Sequence, residues 1–221
     1  MSSKTFPSLD LEAELFAAGA PAVVGIDEVG RGAIAGPVAV GVTVITPSHL
    51  QLPWPSTLQD SKLLSANARD GLFEPLSEWT GNWGVGMASA AEIEQVGITA
   101  ALALAGSRAL GEVSVPTDAI AILDGSHNWL AGKLEQPLRV EMRTKADLNC
   151  VSVAAASVLA KVTRDRLMVE LAARLEFSAY GFDGHKGYAS SAHIDALKAF
   201  GPSSEHRLSW LTKILETDVL F

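Results

Sequence analysis

Four carboxylates of this 221-residue chain stand at boundaries of apolar strand or helix patterns. Asp27 and Glu28 end the run Ala22-Val23-Val24-Gly25-Ile26. Asp124 ends the run 119–123, and Asp147 precedes the longest helical pattern. In open α/β sheets, sites gather outside the carboxyl ends of strands, so these acids could converge. Converging carboxylates repel unless something positive lies between them, and hard divalent cations with oxygen ligands are the usual answer. Two such ions about 3.5–4 Å apart activate a water and stabilise the leaving oxygen of a phosphodiester. Plainer roles compete, and on residue pattern alone they outweigh a metal site. Asp124-Gly125 is a good turn dipeptide, and Asp147 suits an N-cap or a first helical turn. Adjacent Asp27 and Glu28 in a regular strand would point to opposite faces.

The elements that must position these acids are readable from periodicity. Val38, Val40, Val42 and Val44 alternate with small residues over 37–45, a strand of period two, and Trp83, Val85 and Met87 alternate again. Residues 119–123 have the continuous apolar run of a buried strand, and 139–143 suit one more short strand. Leu72, Leu76 and Trp79 share a helical face after an N-cap at Ser65, with Pro75 predicting a kink or late start. A second helix carries Ile98, Leu102, Ala105 and Ala109. The long helix has Val151, Ala155, Val158 and Val162 on one stripe, which puts Lys161, Arg164 and Asp165 on its exposed side. After the Gly-rich stretch 180–188, a helix over about 190–200 stops at Gly201-Pro202, and Leu208, Leu211 and Leu215 suggest a last one. The expected fold class is α/β: a mixed central sheet of about five strands flanked by helices, with a helical C-terminal extension. One catalytic domain is expected over 1–221, its core at about 20–178 and its extension at about 179–221.

Composition excludes several classes. With 48% hydrophobic residues, 19% charged and mean hydropathy +0.23, extended disorder is ruled out. A single cysteine, Cys150, rules out an intramolecular disulfide and a multi-cysteine zinc site. Acids at 10, 12 and 14 interrupt any signal-like apolar stretch after Lys4, and window 151–160 is too short and polar to span a bilayer. A cytoplasmic location is therefore expected, with no membrane association. The net charge of −8 argues at first against a nucleic-acid partner. Its distribution changes that: residues 1–129 hold 5 basic against 14 acidic groups, residues 130–213 hold 12 against 9. Local field governs docking.

A resemblance goes further than pattern. Gly25-Ile26-Asp27-Glu28-Val29-Gly30-Arg31-Gly32, followed by Ala35-Gly36-Pro37-Val38, resembles the N-terminal signature of the type 2 ribonucleases H, the ribonuclease HII family. Further segments follow in the family's order: Asp60-Ser61-Lys62, Leu123-Asp124-Gly125, Lys145-Ala146-Asp147 running into 154–165, and Tyr180-Gly181-Phe182 with His185-Lys186-Gly187-Tyr188. Gly201-Pro202 and His206-Arg207 extend the match, which covers roughly 22–212.

The resemblance implies a ribonuclease H-like fold. It also implies an endoribonuclease that hydrolyses RNA in RNA–DNA hybrids and nicks 5′ of ribonucleotides embedded in duplex DNA, giving 5′-phosphate and 3′-hydroxyl ends. The carboxylates matching Asp27, Glu28, Asp124 and Asp147 would hold two divalent ions, Mg²⁺ or Mn²⁺. Gly30, Arg31 and Gly32 match the loop that reads a 2′-hydroxyl, the group that separates RNA from DNA, and Arg31 distinguishes the chain from type 3 enzymes. Tyr188 matches the tyrosine that packs on the sugar beside the junction. Lys62 and Lys186 rank first as phosphate contacts, with Lys145, Arg164 and His185 as further ones that could equally be structural or surface charges.

Three departures stand out: Ala146 where glycine is usual, Leu63 for a frequent second lysine, and Ser126 for asparagine. None touches a carboxylate, so catalysis is expected to survive all three. The family suggests a monomer. The terminal Leu220-Phe221 resembles peptides that dock in sliding clamps, although a tail packed on its own helix or frayed is the plainer account. Two other classes compete: a non-catalytic hybrid-binding module, which loss of an acid would favour, and a metal-dependent hydrolase of small phosphate esters, which the junction-reading loop disfavours.

Overall fold

A computed structural model of the chain describes residues 6–59, 61–134 and 137–216. Helix α1 (Asp10–Ala17) leads into strands β1 (Val23–Val29) and β2 (Val38–Ile45). A 3-10 turn (Pro47–Gln51), helix α2 (Ala66–Thr80), strand β3 (Trp83–Ala88) and helix α3 (Ala90–Gly111) follow. Then come strands β4 (Ile120–Asp124) and β5 (Arg139–Arg143), helices α4 (Ala146–Asn149) and α5 (Val151–Ala173), and α6 (Phe182–His185), α7 (Ser191–Phe200) and α8 (Leu208–Glu216). The sheet order is β3-β2-β1-β4-β5, antiparallel from β3 to β1 and parallel from β1 to β5. This is the mixed five-stranded α/β sheet with helical C-terminus that periodicity predicted.

Alternation along the strands divides the core. Val23, Ile45, Ile120 and Ile122 face α5, whereas Val24, Ile26, Val40, Val42, Ala121 and Leu123 face α3. Glycines set how close α5 lies. A Cβ on Gly25 would fall 2.3 Å from the Ser152 carbonyl carbon, and one on Gly41 would fall 2.3 Å from the Ala156 oxygen. The Thr43 hydroxyl donates to the Ser152 carbonyl at 2.8 Å, locking the same contact. Buried Glu12 of α1 accepts from the Ser152 amide and hydroxyl, serving the first turn of α5.

Ser65 caps α2, and the helix begins at Ala66 with Pro75 inside it, so the late start does not occur. Gly97, at φ 76° and ψ 161°, breaks α3; the pattern starting at Ile98 is its second segment, and Ser89 with Glu92 caps the first.

The C-terminal helices build a separate cluster on the far half of α5: Ile34, Ala35, Met168, Leu171, Phe177, Tyr180, Phe182, Leu197 and Leu211. Here one expectation fails. Arg164 is fully buried rather than exposed, and Lys161 and Asp165 are largely covered and paired at 2.6 Å. Ala35, Pro37 and Lys186 take up the Arg164 guanidinium, the Tyr188 ring lies near Lys161, and Arg69 of α2 approaches Asp165 at 4.0 Å, so these three residues form no solvent face. Within the cluster His193 and His206 are buried with their Nε2 atoms 2.9 Å apart, and His185 stacks on His193. Among the described residues no helix is long and apolar enough to cross a membrane. Asp60 and the pair Leu220-Phe221 lie outside the described residues.

Two outcomes follow. Gly41→Val drives a side chain into the α5 backbone and lowers stability in a denaturant melt by at least about 1–3 kcal/mol, the cost of overpacking. Burial holds His193 and His206 down to about 4 from 6.5. The unfolded chain therefore binds more protons between those values, and the pair's contribution, complete above pH 6.5, fades as pH falls to about 4. A His193→Gln/His206→Gln variant melts below wild type at pH 7.5, and thermal melts across this window show the gap closing.

Candidate active site

Because β1, β4 and β5 are parallel, their carboxyl ends share one edge of the sheet, and α4 begins just beyond it. The register pairs Ile26 with Leu123, so Asp27 and Asp124 are the next residues outward on adjacent strands. Both carry the parity that faces α5. Asp27 is buried there and bonded by Ser157, whose hydroxyl also lies 2.9 Å from that of Ser61. Burial, then the charges of Glu28, Asp124 and Asp147, push the Asp27 carboxyl up to about 8 against the Ser157 bond. Glu28 is likewise raised, mainly by burial, while Arg31 opposes the shift.

The other acids are tied down individually. Asp124 Oδ1 accepts from the Ala146 amide at 2.7 Å, which joins the end of β4 to the start of α4. Lys145, at φ 62°, makes the left-handed turn that aims this amide. Asp147 falls in the first turn of α4, buried, and Lys62 Nζ lies 3.3 Å from its Oδ2. Arg31 donates to Glu28 at 3.2 Å. Two expected substrate contacts are thus counter-ions of two expected ligands. Among the described residues no three Asp, Glu, His or Cys side chains form a closed metal cage as they stand. Glu28, Asp124 and Asp147 are nonetheless close enough for their charges to raise Asp27, and an all-oxygen donor set fits hard divalent cations.

The glycines of the loop after β1 differ in purpose. Gly30 has φ 78°, and a Cβ there would strike Arg164 Nε at 2.2 Å. Gly32 is exposed, and a Cβ would meet nothing within 4 Å, so packing does not require glycine there. Two buried guanidiniums hold the loop from behind. Arg207 donates to the carbonyls of Gly30 (2.8 Å), Arg31 (2.9 Å) and Gly36 (3.0 Å). Arg164 donates to those of Pro37 (2.8 Å), Lys186 (2.9 Å) and Ala35 (3.2 Å). Burial, and then the charge of Arg164, bring Arg207 down to about 10.

Tyr188 sits at the mouth of this arrangement, 37% exposed, with Arg164 and Lys161 each 5.7 Å from its ring centre. The preceding Gly187 carbonyl accepts from the Ile34 and Ala35 amides, which interlocks the two loops. Lys186 adopts φ 53° and its ammonium donates to the Asp183 carbonyl. His185 donates through Nε2 to the Tyr180 carbonyl at 2.8 Å and accepts the Gly187 amide, which is an architectural use.

Sequence reasoning places Asp27, Glu28, Asp124, Asp147, Lys62 and Arg31 in one neighbourhood, and so does the structure. It misses Ser157 as the partner of Asp27 and Arg207 as the clasp of the 30–36 loop. The available signal for Arg207 was the His206-Arg207 pair inside a matched segment.

Comparison with known proteins gives these features a lineage. The model of the family described as ribonuclease HII matches residues 24–213. A ribonuclease HII of Streptomyces avermitilis is 46% identical over 192 residues, which cover 87% of this chain and 78% of that one. One from Caulobacter vibrioides is 43% identical over 204 residues, 92% and 90% of the two chains. The crystal structure of ribonuclease H2 from Pyrococcus horikoshii superimposes with TM-score 0.69 at 26% identity, over 89% of this chain and 98% of that one. The family match runs through the acidic edge, the loop held by the two arginines and the segment bearing Tyr188, and with these relatives it shows that the chain belongs to the ribonuclease HII family.

Proposed function

We propose that the chain is an endoribonuclease that hydrolyses RNA in RNA–DNA hybrids and nicks duplex DNA 5′ of an embedded ribonucleotide, leaving 5′-phosphate and 3′-hydroxyl ends. The observation that carries the reading is a cluster of mutually repelling carboxylates at a sheet edge, beside a loop whose exposed Gly32 backbone has no packing reason to be bare. Asp27, Glu28, Asp124 and Asp147 would hold two divalent ions, Mg²⁺ or Mn²⁺. When bound, such ions supply activation of a water and stabilisation of the leaving oxygen of a phosphodiester.

The protein's own groups do the rest. Ser157 orients Asp27, and the Asp124 bond to the Ala146 amide sets Asp147 against the strand ends. Once cations neutralise the acids, Lys62 and Arg31 are no longer needed as counter-ions, which leaves them for phosphate and sugar. Gly30, Arg31 and Gly32 present backbone to the 2′-hydroxyl, Tyr188 packs on the neighbouring sugar, and Lys186 borders that loop. The reading carries with it a cytoplasmic monomer engaged in ribonucleotide excision and RNA-primer removal.

The deciding assay offers a duplex with one ribonucleotide, an all-DNA duplex and an RNA–DNA hybrid, each with Mg²⁺, Mn²⁺ or chelator. Cleavage of the first and third only, and only with metal, is expected; an intact single-ribonucleotide duplex in the presence of metal sinks the reading. Asp27→Asn loses at least about a hundredfold in rate, beyond what a merely supporting residue removes. Its stability moves the other way. A carboxyl raised from 3.8 to about 8 on folding destabilises the native state progressively as pH rises through that window. Metal-free Asp27→Asn therefore melts above wild type by a margin that widens from pH 4 to pH 8. Gly32→Ala changes stability by no more than about 0.5 kcal/mol yet slows junction cleavage, whereas Gly30→Ala unfolds measurably earlier because its Cβ collides with Arg164.

A further inference from the structure

His206 and His193 form a bond chain whose proton positions are fully determined. The Ser203 amide donates to His206 Nδ1 at 3.0 Å, so that nitrogen is unprotonated and the proton of the neutral ring is on Nε2. At the other end His193 Nδ1 lies 2.9 Å from the Tyr188 carbonyl, which can only accept, so His193 carries its proton on Nδ1 and leaves Nε2 bare. The two Nε2 atoms are 2.9 Å apart, one with a proton and one without. Each ring has one usable tautomer, and a single directed chain runs from the Ser203 amide through His206 and His193 to the Tyr188 carbonyl.

The chain ends at a residue whose place matters. The Tyr188 carbonyl also accepts from the Ser190 amide, so its peptide plane is held by two donors, one local and one carried from residue 206. The next residue, Arg207, is the clasp on the Gly30, Arg31 and Gly36 carbonyls. Adjacent residues of one buried turn thus reach both halves of the proposed reader, His206 toward Tyr188 and Arg207 toward the glycine loop. Both histidines are almost fully buried, at 0% and 2% exposure.

We infer that His206 and His193 are positioning residues for substrate reading: they fix the Tyr188 peptide relative to the 30–36 loop and so set selectivity for a single embedded ribonucleotide over a long hybrid. This rests on the ribonuclease reading above. The selectivity arises because a lone 2′-hydroxyl allows one register, so a displaced Tyr188 has no alternative site. A continuous RNA strand offers a 2′-hydroxyl at every step.

The test combines kinetics with spectroscopy. His206→Leu removes the donor to His193, while His206→Gln keeps an N–H that can reach it. His206→Leu is expected to lower kcat/KM on the single-ribonucleotide duplex by about tenfold, within what a small misplacement of a positioning group produces, and by no more than about twofold on the hybrid. His206→Gln recovers most of the loss. In a Tyr188→Ala background His206→Leu has no further effect, because the route runs through Tyr188. Nitrogen-15 NMR of wild type should show His206 as the Nε2–H tautomer and His193 as Nδ1–H, and this holds whether or not any variant folds. Reversed tautomers overturn the inference. So does an equal loss on both substrates, or a loss that persists undiminished without the Tyr188 ring. If wild type leaves the single-ribonucleotide duplex intact while the tautomers stand as described, the ribonuclease reading has failed and the recognition role falls with it. Intact cleavage with unchanged selectivity in His206→Leu removes the inference alone.

Discussion

Everything at the candidate site is measured from the contact between α5 and the sheet. Gly25 and Gly41 let the helix backbone touch the backbones of β1 and β2 with no side chain between. At that separation Ser157 reaches Asp27, Ser61 reaches Ser157, and the start of α5 is drawn beneath the capping carboxylate of Glu12. One helix therefore supports an acid from its second turn and, two turns later, carries a buried arginine that props the loop leaving β1. A side chain at Gly25 or Gly41 would disturb all of these together, because close-packed interiors transmit such shifts instead of absorbing them.

Upon this frame the molecule holds two charge arrangements that are each unfavourable alone. The acids gather at the ends of the parallel strands, where burial and mutual repulsion raise Asp27 and Glu28. Behind the neighbouring loop Arg164 and Arg207 are buried, and the carbonyls they grip solvate them. Carbonyl dipoles offset only part of the desolvation of a guanidinium, which is why both are held below their ordinary value. The cost is consistent with a loop whose shape matters more than its stability. Carbonyls of Gly30, Arg31, Ala35, Gly36 and Pro37 are gripped by the arginines, and Arg31 and Gly32 are left as the exposed part of the loop. The overall charge of −8 hides this division between acidic edge and cation-backed loop.

Most of the fold was legible because local period and tertiary burial agree. Valines alternating over β2 face α3 in the structure, and the acids that end β1 and β4 meet because those strands are parallel. Legibility failed where a distant segment covers a surface that local pattern treats as solvent. Lys161, Arg164 and Asp165 look like the polar face of an amphipathic helix, and nothing near them announces that the 30–37 loop, Tyr188 and Arg69 of α2 will lie across it. His193 is similarly mute: a lone histidine on a short helix shows its partner only once residue 206 is folded against it. Gly30 and Gly32 are the same letter in one motif, yet one is demanded by a positive φ and an arginine and the other by nothing in the packing.

Departures from the family pattern are informative for the same reason. Ala146 replaces a usual glycine, and the left-handed residue at this turn is Lys145, at φ 62°, so residue 146 has no need of glycine's conformational freedom. What the position does require is smallness and an amide: Ala146 is 1% exposed, and its N–H binds Asp124 at 2.7 Å. A methyl group meets both demands, so the bond that sets two of the acids against each other survives. Leu63, 64% exposed, removes a charge without entering the packing. Both substitutions spare the backbone bonds that carry the geometry, whereas a change at Gly25, Gly41 or Gly30 would place atoms where backbone or guanidinium already lies.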